Sequence, residues 1–470
     1  MSRRDELIEL CRREPEKVVD LLLALEAKVN NLEKRLNRNS KNSDQPPSSD
    51  GLRKFPRRPS KSKRNSGGQS GHKGKTLRFS EHPDKVIRHS ADCCDDCGAS
   101  LTNVEGVFVS RRQEIEIPEK PVQVIEHQCL EKQCPHCGQH NRGQYPAHVT
   151  GNVQYGRRFK AFCLYLMNYQ LLPYERTGEL LKTLLGYQPG GGTLKRILDH
   201  AYEALEPIEK LIKEAIRGSP VGHGDETGIR VDGYTRWMHV FSNPSYTYYY
   251  WSKHRGQKAH HADGLLPGYQ GILMHDAYRS YFVHEYEHAL CNAHLLRELQ
   301  AIDETEAQAR WSRRLMRLLR VAWALVKNAK ASGQTQLSLK QRDRIFALFD
   351  QIVGRADTQE PRKQRQVGQR GRVGQSISRN LLDRLITHKA DYLRFVGDFR
   401  VPFDNNLAER DLRMSKLQQK ISGCFRTEGG ANSFCRIRGY ISTLRKQDHK
   451  LLPALLSLWT DTPFSPMTAE

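Results

Sequence analysis

The sequence predicts a multidomain α+β protein, and three observations carry that expectation. The chain has 470 residues, enough for roughly three or four domains. Its composition changes abruptly along its length, from a Leu/Glu/Lys-rich start to a polar basic stretch, then to paired cysteines. Finally, short runs rich in aromatic and β-branched residues lie between 218 and 300, flanked on both sides by stretches with the period of helices.

The bulk numbers narrow the function. A net charge of +22 and a pI near 9.6 favour a polyanionic partner. No run of eighteen or more apolar residues exists, so no membrane span or membrane partner is expected. Met1–Glu6 lacks an apolar signal core, which predicts a cytoplasmic, nucleoid-associated protein. In that compartment eleven cysteines point to metal binding rather than disulfides.

Residues 1–45 hold the first element. Val18, Leu22, Leu25, Val29, Leu32 and Leu36 step by four and three in turn. This heptad seam, on a helix that can start at Pro15, predicts a short coiled coil joining two copies or a partner. Residues 46–80 read as a basic disordered linker. Between Gly51 and Phe79 there are ten Lys or Arg residues and no acid, an arm suited to neutralising phosphates. Gly68–Thr76 resembles a phosphate-binding loop, but Gln69 occupies a position where that loop needs glycine.

Residues 81–150 carry Cys94-x-x-Cys97-Gly98 and Cys134-x-x-Cys137-Gly138. Two such knuckles can converge on one structural zinc in a ribbon-like module. Paired strands are expected between them, at Glu114–Ile117 and Val122–Ile125, with Cys93 and Cys129 as spare thiols. Residues 151–217 read as helices, with one over Pro173–Leu185, a second capped by Thr193 and a third opened by Pro207. Lys195 and Arg196 sit where a helix-turn-helix-like DNA-binding segment would place base or phosphate contacts, although a plain helical connector fits as well.

The chemistry concentrates in 218–300 and 396–447. Asp225 and Glu226 lie near the end of a strand that opens a meander, Ile229–Val231, Tyr234–Phe241 and Tyr246–Trp251, turned at Asp232-Gly233. Asp276 closes the apolar run Gly271–His275, and Asn292 caps a helix bearing His294 and Arg297. A meander followed by strands alternating with helices fits a ribonuclease-H-like α/β core, in which the first and fourth strands are neighbours. A helical insertion, 301–395, separates these strands from the third acid. Asp404 or Asn405 then caps a helix whose Glu409, Arg413, Lys416 and Lys420 share one face. Residues 448–470 read as a C-terminal tail. Three carboxylates from two strands and a helix suit hard divalent cations and predict a metal-dependent nuclease or transferase acting on DNA. Asp404 and Glu226 rival Glu409 as third ligand.

Beyond these residue patterns, the chain resembles transposases of the insertion sequence 66 family over nearly its whole length. The likeness rests on the leucine seam with Asn39-Ser40-Lys41-Asn42-Ser43, on Gly67–Gly74 and on the paired knuckles. It continues through Gly224-Asp225-Glu226-Thr227, His275-Asp276-x-x-x-x-Tyr281, Cys291-Asn292-x-His294-x-x-Arg297-Glu298 and Asn405-Asn406-x-Ala408-Glu409-Arg410. It ends on Gly423-x-Phe425-Arg426 and Phe434 through Lys446.

The resemblance implies a DDE core with Asp225, Asp276 and Glu409 as the three acids holding two Mg ions (or Mn in vitro). It places Cys291, His294 and Arg297 near the active site. It also implies binding to terminal inverted repeats and target DNA, with small accessory proteins of the same element and a homo-oligomer as partners. Lys195, Arg196, Arg410, Arg413, Lys416, Lys420, Arg426 and Arg438 are the expected DNA contacts. The Gly190-Gly191-Gly192 turn departs from the polar connection expected of a helix-turn-helix. Two other functions compete: a catalytically silent transposase-derived DNA-binding regulator, and a structure-specific nuclease that does not join strands.

Overall fold

A computed structural model describes residues 9, 11–36, 79–118, 121–137, 139–306, 309–365, 373–460 and 462–466. The basic arm expected over residues 51–78 therefore lies outside the described residues. The chain divides into two compact units, residues 53–147 and the remainder.

In the larger unit, helix α1 spans Pro15–Leu36. Its seam residues Leu22, Leu25, Val29 and Leu32 are all exposed in the single chain. The smaller unit holds a hairpin, β1 (Glu131–Gln133) and β2 (His140–Arg142), that frames the second knuckle. The strands expected at 114–117 and 122–125 do not form. Ile115, Ile117, Val124 and Ile125 stay exposed; a lone ribbon with no third strand or helix to cover it gains too little burial to persist.

Helices α2 (Arg157–Leu164), α3 (Tyr174–Leu185), α4 (Gly191–Ala204) and α5 (Glu206–Arg217) follow. Helix α4 starts after Gly190, so Thr193 lies inside its first turn rather than capping it. Leu181, Leu194, Ile197, Ile208 and Ile212 join one core with the sheet residues Phe241, Tyr248 and Leu273. The 151–217 segment is thus packed onto the sheet.

That sheet has five strands in the order β5-β4-β3-β6-β7. Strands β3 (Val221–Val231), β4 (Tyr234–Ser242) and β5 (Thr247–Ser252) form the antiparallel meander. Its first turn uses positive φ at both Asp232 (51°) and Gly233 (73°), the geometry that matches the twist of a tight hairpin. Strand β6 (Ile272–His275) runs parallel to β3, and β7 (Glu287–Leu290) runs parallel to β6. The first and fourth strands are neighbours, as expected.

The insertion is helical: α7 (Asn292–Thr305), α8 (Arg310–Ala331), α9 (Leu339–Gln359), α10 (Ile377–Thr387) and α11 (Lys389–Gly397), with a short α6 (Gln257–Asp263) before β6. Helices α10 and α11 are separated at His388, whose ring stacks on Phe282 and bonds Asp391. The insertion returns the chain to its starting point. Asn292 donates from its amide to Tyr392 O at 2.9 Å and from its backbone to Phe403 O at 3.1 Å. Helix α12 (Asn406–Ser422) can therefore lie against β3, burying Ala408 and Leu412 with Ile229, Val231, Met238 and Val240. Helix α13 (Glu428–Lys446) packs beside it, while α14 (Leu451–Leu456) with Leu458 enters the core rather than trailing as a tail.

Candidate active site

Strand β3 presents its odd-numbered side chains to α12: Ile229 and Val231 bury against Ala408 and Leu412, and His223 Nδ1 meets Asn405 Oδ1 at 2.8 Å. By alternation Asp225 points the same way. The β3–β6 register pairs Val221 with Ile272 and His223 with Met274; carried two residues further, it sets Asp225 level with Asp276. Burial drives the Asp225 carboxyl well above its ordinary range, and the neighbouring Glu226 and Asp276 charges add to it. Asp276 accepts the Tyr278 N–H at 3.0 Å, which fixes its rotamer at the strand exit. At this end of β3 a side chain in place of Gly224 would crowd its neighbours. A Cβ on Gly224 would lie 3.0 Å from the Phe241 ring.

Glu409 reaches the same face from α12. Its Oε1 stands 3.7 Å from His294 Nδ1, and its Oε2 stands 3.8 Å from Arg297 Nη2. His294 is also within electrostatic reach of Asp225, so it links the acids of strand and helix. Burial disfavours the charged imidazole of His294, but the Cys291 sulfur and the Glu409 carboxylate outweigh it and hold its pKa up at about 10. Among the described residues, one group of three or more potential ligand side chains has its donor atoms all within 4.8 Å: Cys291, His294 and Glu409. Asp225, Asp276 and Glu409 are not drawn that tightly together.

The two rival acids are engaged elsewhere. Glu226 has the opposite parity on β3 and faces the side of Tyr281 and Phe241. It accepts Tyr281 Oη at 2.6 Å and Arg255 Nε at 2.9 Å. Burial and the Asp276 charge raise its pKa to about 7 against those two partners. The Asp404 carboxylate accepts the Asn406 N–H at 3.1 Å, the capping role that its position suggests.

The residue that sequence reasoning undervalued is Asn405. Only 1% exposed, it holds His223, donates Nδ2 to Gly224 O at 2.9 Å and donates its backbone N–H to Cys291 Sγ at 3.2 Å. It locks α12, β3 and the start of α7 together around Asp225. Its place in the Asn-Asn pair before Glu409 was the available signal, but a cap explained that pair equally well.

The expected DNA contacts divide. Arg410, Arg413, Lys420 and Arg426 are exposed. Lys416 is exposed along its stem and donates Nζ to Gly228 O, tying α12 to β3. Lys195 pairs with Asp199 and Arg196 bonds Thr193, both on the surface. Arg438 is a correction. Only 4% exposed, it gives its guanidinium to Asn168 O at 3.0 Å and joins helices inside the core, so it cannot face DNA.

In the smaller unit each knuckle closes on itself. Cys94 N bonds Ala99 O at 2.9 Å and Cys134 N bonds Gln139 O at 2.8 Å. The Cys94 thiol lies under the N–H groups of Cys97 and Asp96, and Cys134 under those of Cys137 and His136, which lowers both pKa values. Such N–H donors suit thiolate ligands, so the residues fit zinc. The structure does not gather the four sulfurs into one cluster, contrary to the spacing expected for a shared ion. Cys129 Sγ donates to Gly143 O, and Cys93 is exposed. No helix among the described residues is long and apolar enough to cross a membrane.

Three family patterns match the chain. Residues 152–433 match the model described as "Transposase IS66 family". Residues 91–138 match the zinc-finger binding domain of transposase IS66, and residues 8–78 match a family of unknown function. No curated protein sequence matches.

Proposed function

The chain belongs to the IS66 transposase family, and we propose that it is a DDE transposase that binds the terminal inverted repeats of its element and cuts and joins DNA strands with Mg. The observation that carries this is the β3–β6 register, which sets Asp225 level with Asp276 when carried two residues on, together with Glu409 on the helix α12 that packs against β3, beside a His294 that interacts electrostatically with Asp225. The strand order supports a ribonuclease-H-like core.

The site fits hard cations. Burial and like-charged neighbours push the Asp225 carboxyl well above its ordinary range, a shift that a divalent ion would oppose by neutralising the carboxylates. When bound, Mg ions stabilise charge on the attacking and leaving oxygens of an in-line displacement at phosphorus. Asp225, Asp276 and Glu409 would hold them. Asn405 fixes the helix that carries Glu409, and Arg297 restrains the Glu409 carboxylate. The exposed Arg410, Arg413 and Lys420 on α12, with Arg426 just beyond it, would position the DNA backbone. Water serves as nucleophile for cutting, and the freed 3′-hydroxyl serves for joining. The thiolates of Cys94, Cys97, Cys134 and Cys137 would hold a structural zinc. Helix α1 would pair with a second copy through its exposed seam.

The test is incubation of the full chain with DNA carrying the element's own ends, a target duplex and Mg, mapped at nucleotide resolution. Cleavage at the element boundary followed by joined product is expected. Binding without any cleavage would leave a silent DNA-binding regulator instead, and cleavage without joining would leave a nuclease.

A further inference from the structure

Next to the proposed Mg acids lies a second donor set of different chemistry. Cys291 sits at the N-cap of α7 and His294 lies within its first turn, so both reach toward Glu409 on α12. One donor atom from each of the three lies within 4.8 Å of the others. His294 Nδ1 and Glu409 Oε1 face each other at 3.7 Å, too far for a hydrogen bond, and both are buried atoms with no hydrogen-bond partner. Two stranded polar atoms aimed at one point cost stability unless something satisfies both. The third donor, Cys291 Sγ, is buried and held in place by the Asn405 N–H.

We propose that Cys291, His294 and Glu409 form a binding site for a zinc-like divalent cation, and that its occupancy withdraws Glu409 from the Mg acids. Sulfur, imidazole and carboxylate together are a borderline-soft set that selects zinc over Mg, which takes oxygen donors. Zinc bonds of about 2.3 Å to sulfur and 2.0–2.1 Å to nitrogen and oxygen imply donor separations of roughly 3.3–3.6 Å. The observed 3.7 Å between His294 and Glu409 already approaches that range. Binding would release to solvent both the thiol proton of Cys291 and the extra ring proton that His294 carries at its raised pKa, and leave one coordination position open. With Oε1 on the ion and Oε2 beside Arg297, Glu409 would have no oxygen left to share with Asp225 and Asp276. The inhibitory consequence rests on the transposase function proposed above; the cation site itself does not.

Two readouts test it on the full chain. The first is zinc content per chain after equilibration at low micromolar zinc, for wild type, Cys291→Ser, His294→Gln and Cys134→Ser. Wild type should exceed both Cys291→Ser and His294→Gln by one ion, while Cys134→Ser should retain the ion that those two lose. Equal zinc in wild type and both site variants overturns the site. His294→Gln keeps this arm decisive if Cys291→Ser fails to fold. The second readout is Mg-dependent cleavage with added zinc. Inhibition of wild type at micromolar zinc, weakened at least tenfold in either site variant that still cleaves, is expected. A one-ion difference with no inhibition overturns the withdrawal of Glu409 but not the site. Absence of cleavage in every sample refutes the transposase function and, with it, the withdrawal of Glu409, and leaves the ion count to decide the site.

Discussion

Replacing Glu226 with Gln tests the electrostatics beneath the acidic end of the sheet. Glu226 is buried, its side chain 1% exposed, and its pKa rises from 4.5 to about 7. A carboxyl whose pKa is higher folded than unfolded stabilises the fold most below the unfolded value. That stability drains away as pH rises toward about 7. Between pH 5.5 and pH 8 the loss from this one group comes to about 2 kcal/mol. Glutamine mimics the protonated form, offering an oxygen to Arg255 and an amide to Tyr281, and it does not titrate. Urea unfolding of wild type and Glu226→Gln at both pH values reads the effect of this carboxyl together with its charge on Asp225, because groups it does not touch cancel in the difference. The variant should gain about 2 kcal/mol on wild type between pH 5.5 and 8. A difference that stays flat within about 0.5 kcal/mol would refute the claim that burial keeps this acid protonated near neutrality.

Other substitutions probe the scaffold. Asn405→Ala strands both His223 Nδ1 and Gly224 O in the interior. It should cost about 2–4 kcal/mol in urea unfolding and lower cleavage further than DNA binding; a loss below about 1 kcal/mol would show that Asn405 does not lock α12 to β3. Cys134→Ser, or zinc removal by a chelator, should open the chain to trypsin at Lys132 and Arg142 while the sheet's unfolding midpoint holds. Unchanged digestion would end the structural-zinc role. Leu25→Lys combined with Leu32→Lys should abolish self-association in sedimentation without shifting the core's melting temperature. If the sedimentation coefficient is unchanged, the α1 seam is not a dimer contact.

The sheet was the most legible part of the chain. Its strands announce themselves by aromatic and β-branched runs, and the Asp232-Gly233 turn sets the first register, so the neighbouring placement of Asp225 and Asp276 follows from sequence. Glu409 was legible only as a candidate. What brings it to the sheet is the closure of the insertion through Asn292, Tyr392 and Phe403, long-range contacts that no local pattern encodes. Arg438 entered as a DNA contact through the resemblance, whereas here its guanidinium satisfies a buried carbonyl at Asn168. The 114–125 stretch misled by its pattern. Alternating apolar residues promise a ribbon, but nothing covers Ile115 or Val124. Asn405 looked like a helix cap, and its three-way role appears only once His223, Gly224 and Cys291 meet it.

The central claim is that Glu409, not Glu226 or Asp404, completes the acidic set with Asp225 and Asp276. Its most direct test is the single-turnover rate of Mg-dependent cleavage by Glu409→Gln on DNA bearing the element's own ends, at saturating Mg and without zinc. The rate should fall by about a thousandfold or more, with affinity for the ends unchanged within about twofold, as expected when phosphate contacts stay in place. Cleavage by Glu409→Gln within about tenfold of wild type, alongside its loss in Glu226→Gln or Asp404→Asn, would contradict the claim and move the third-acid role to that residue.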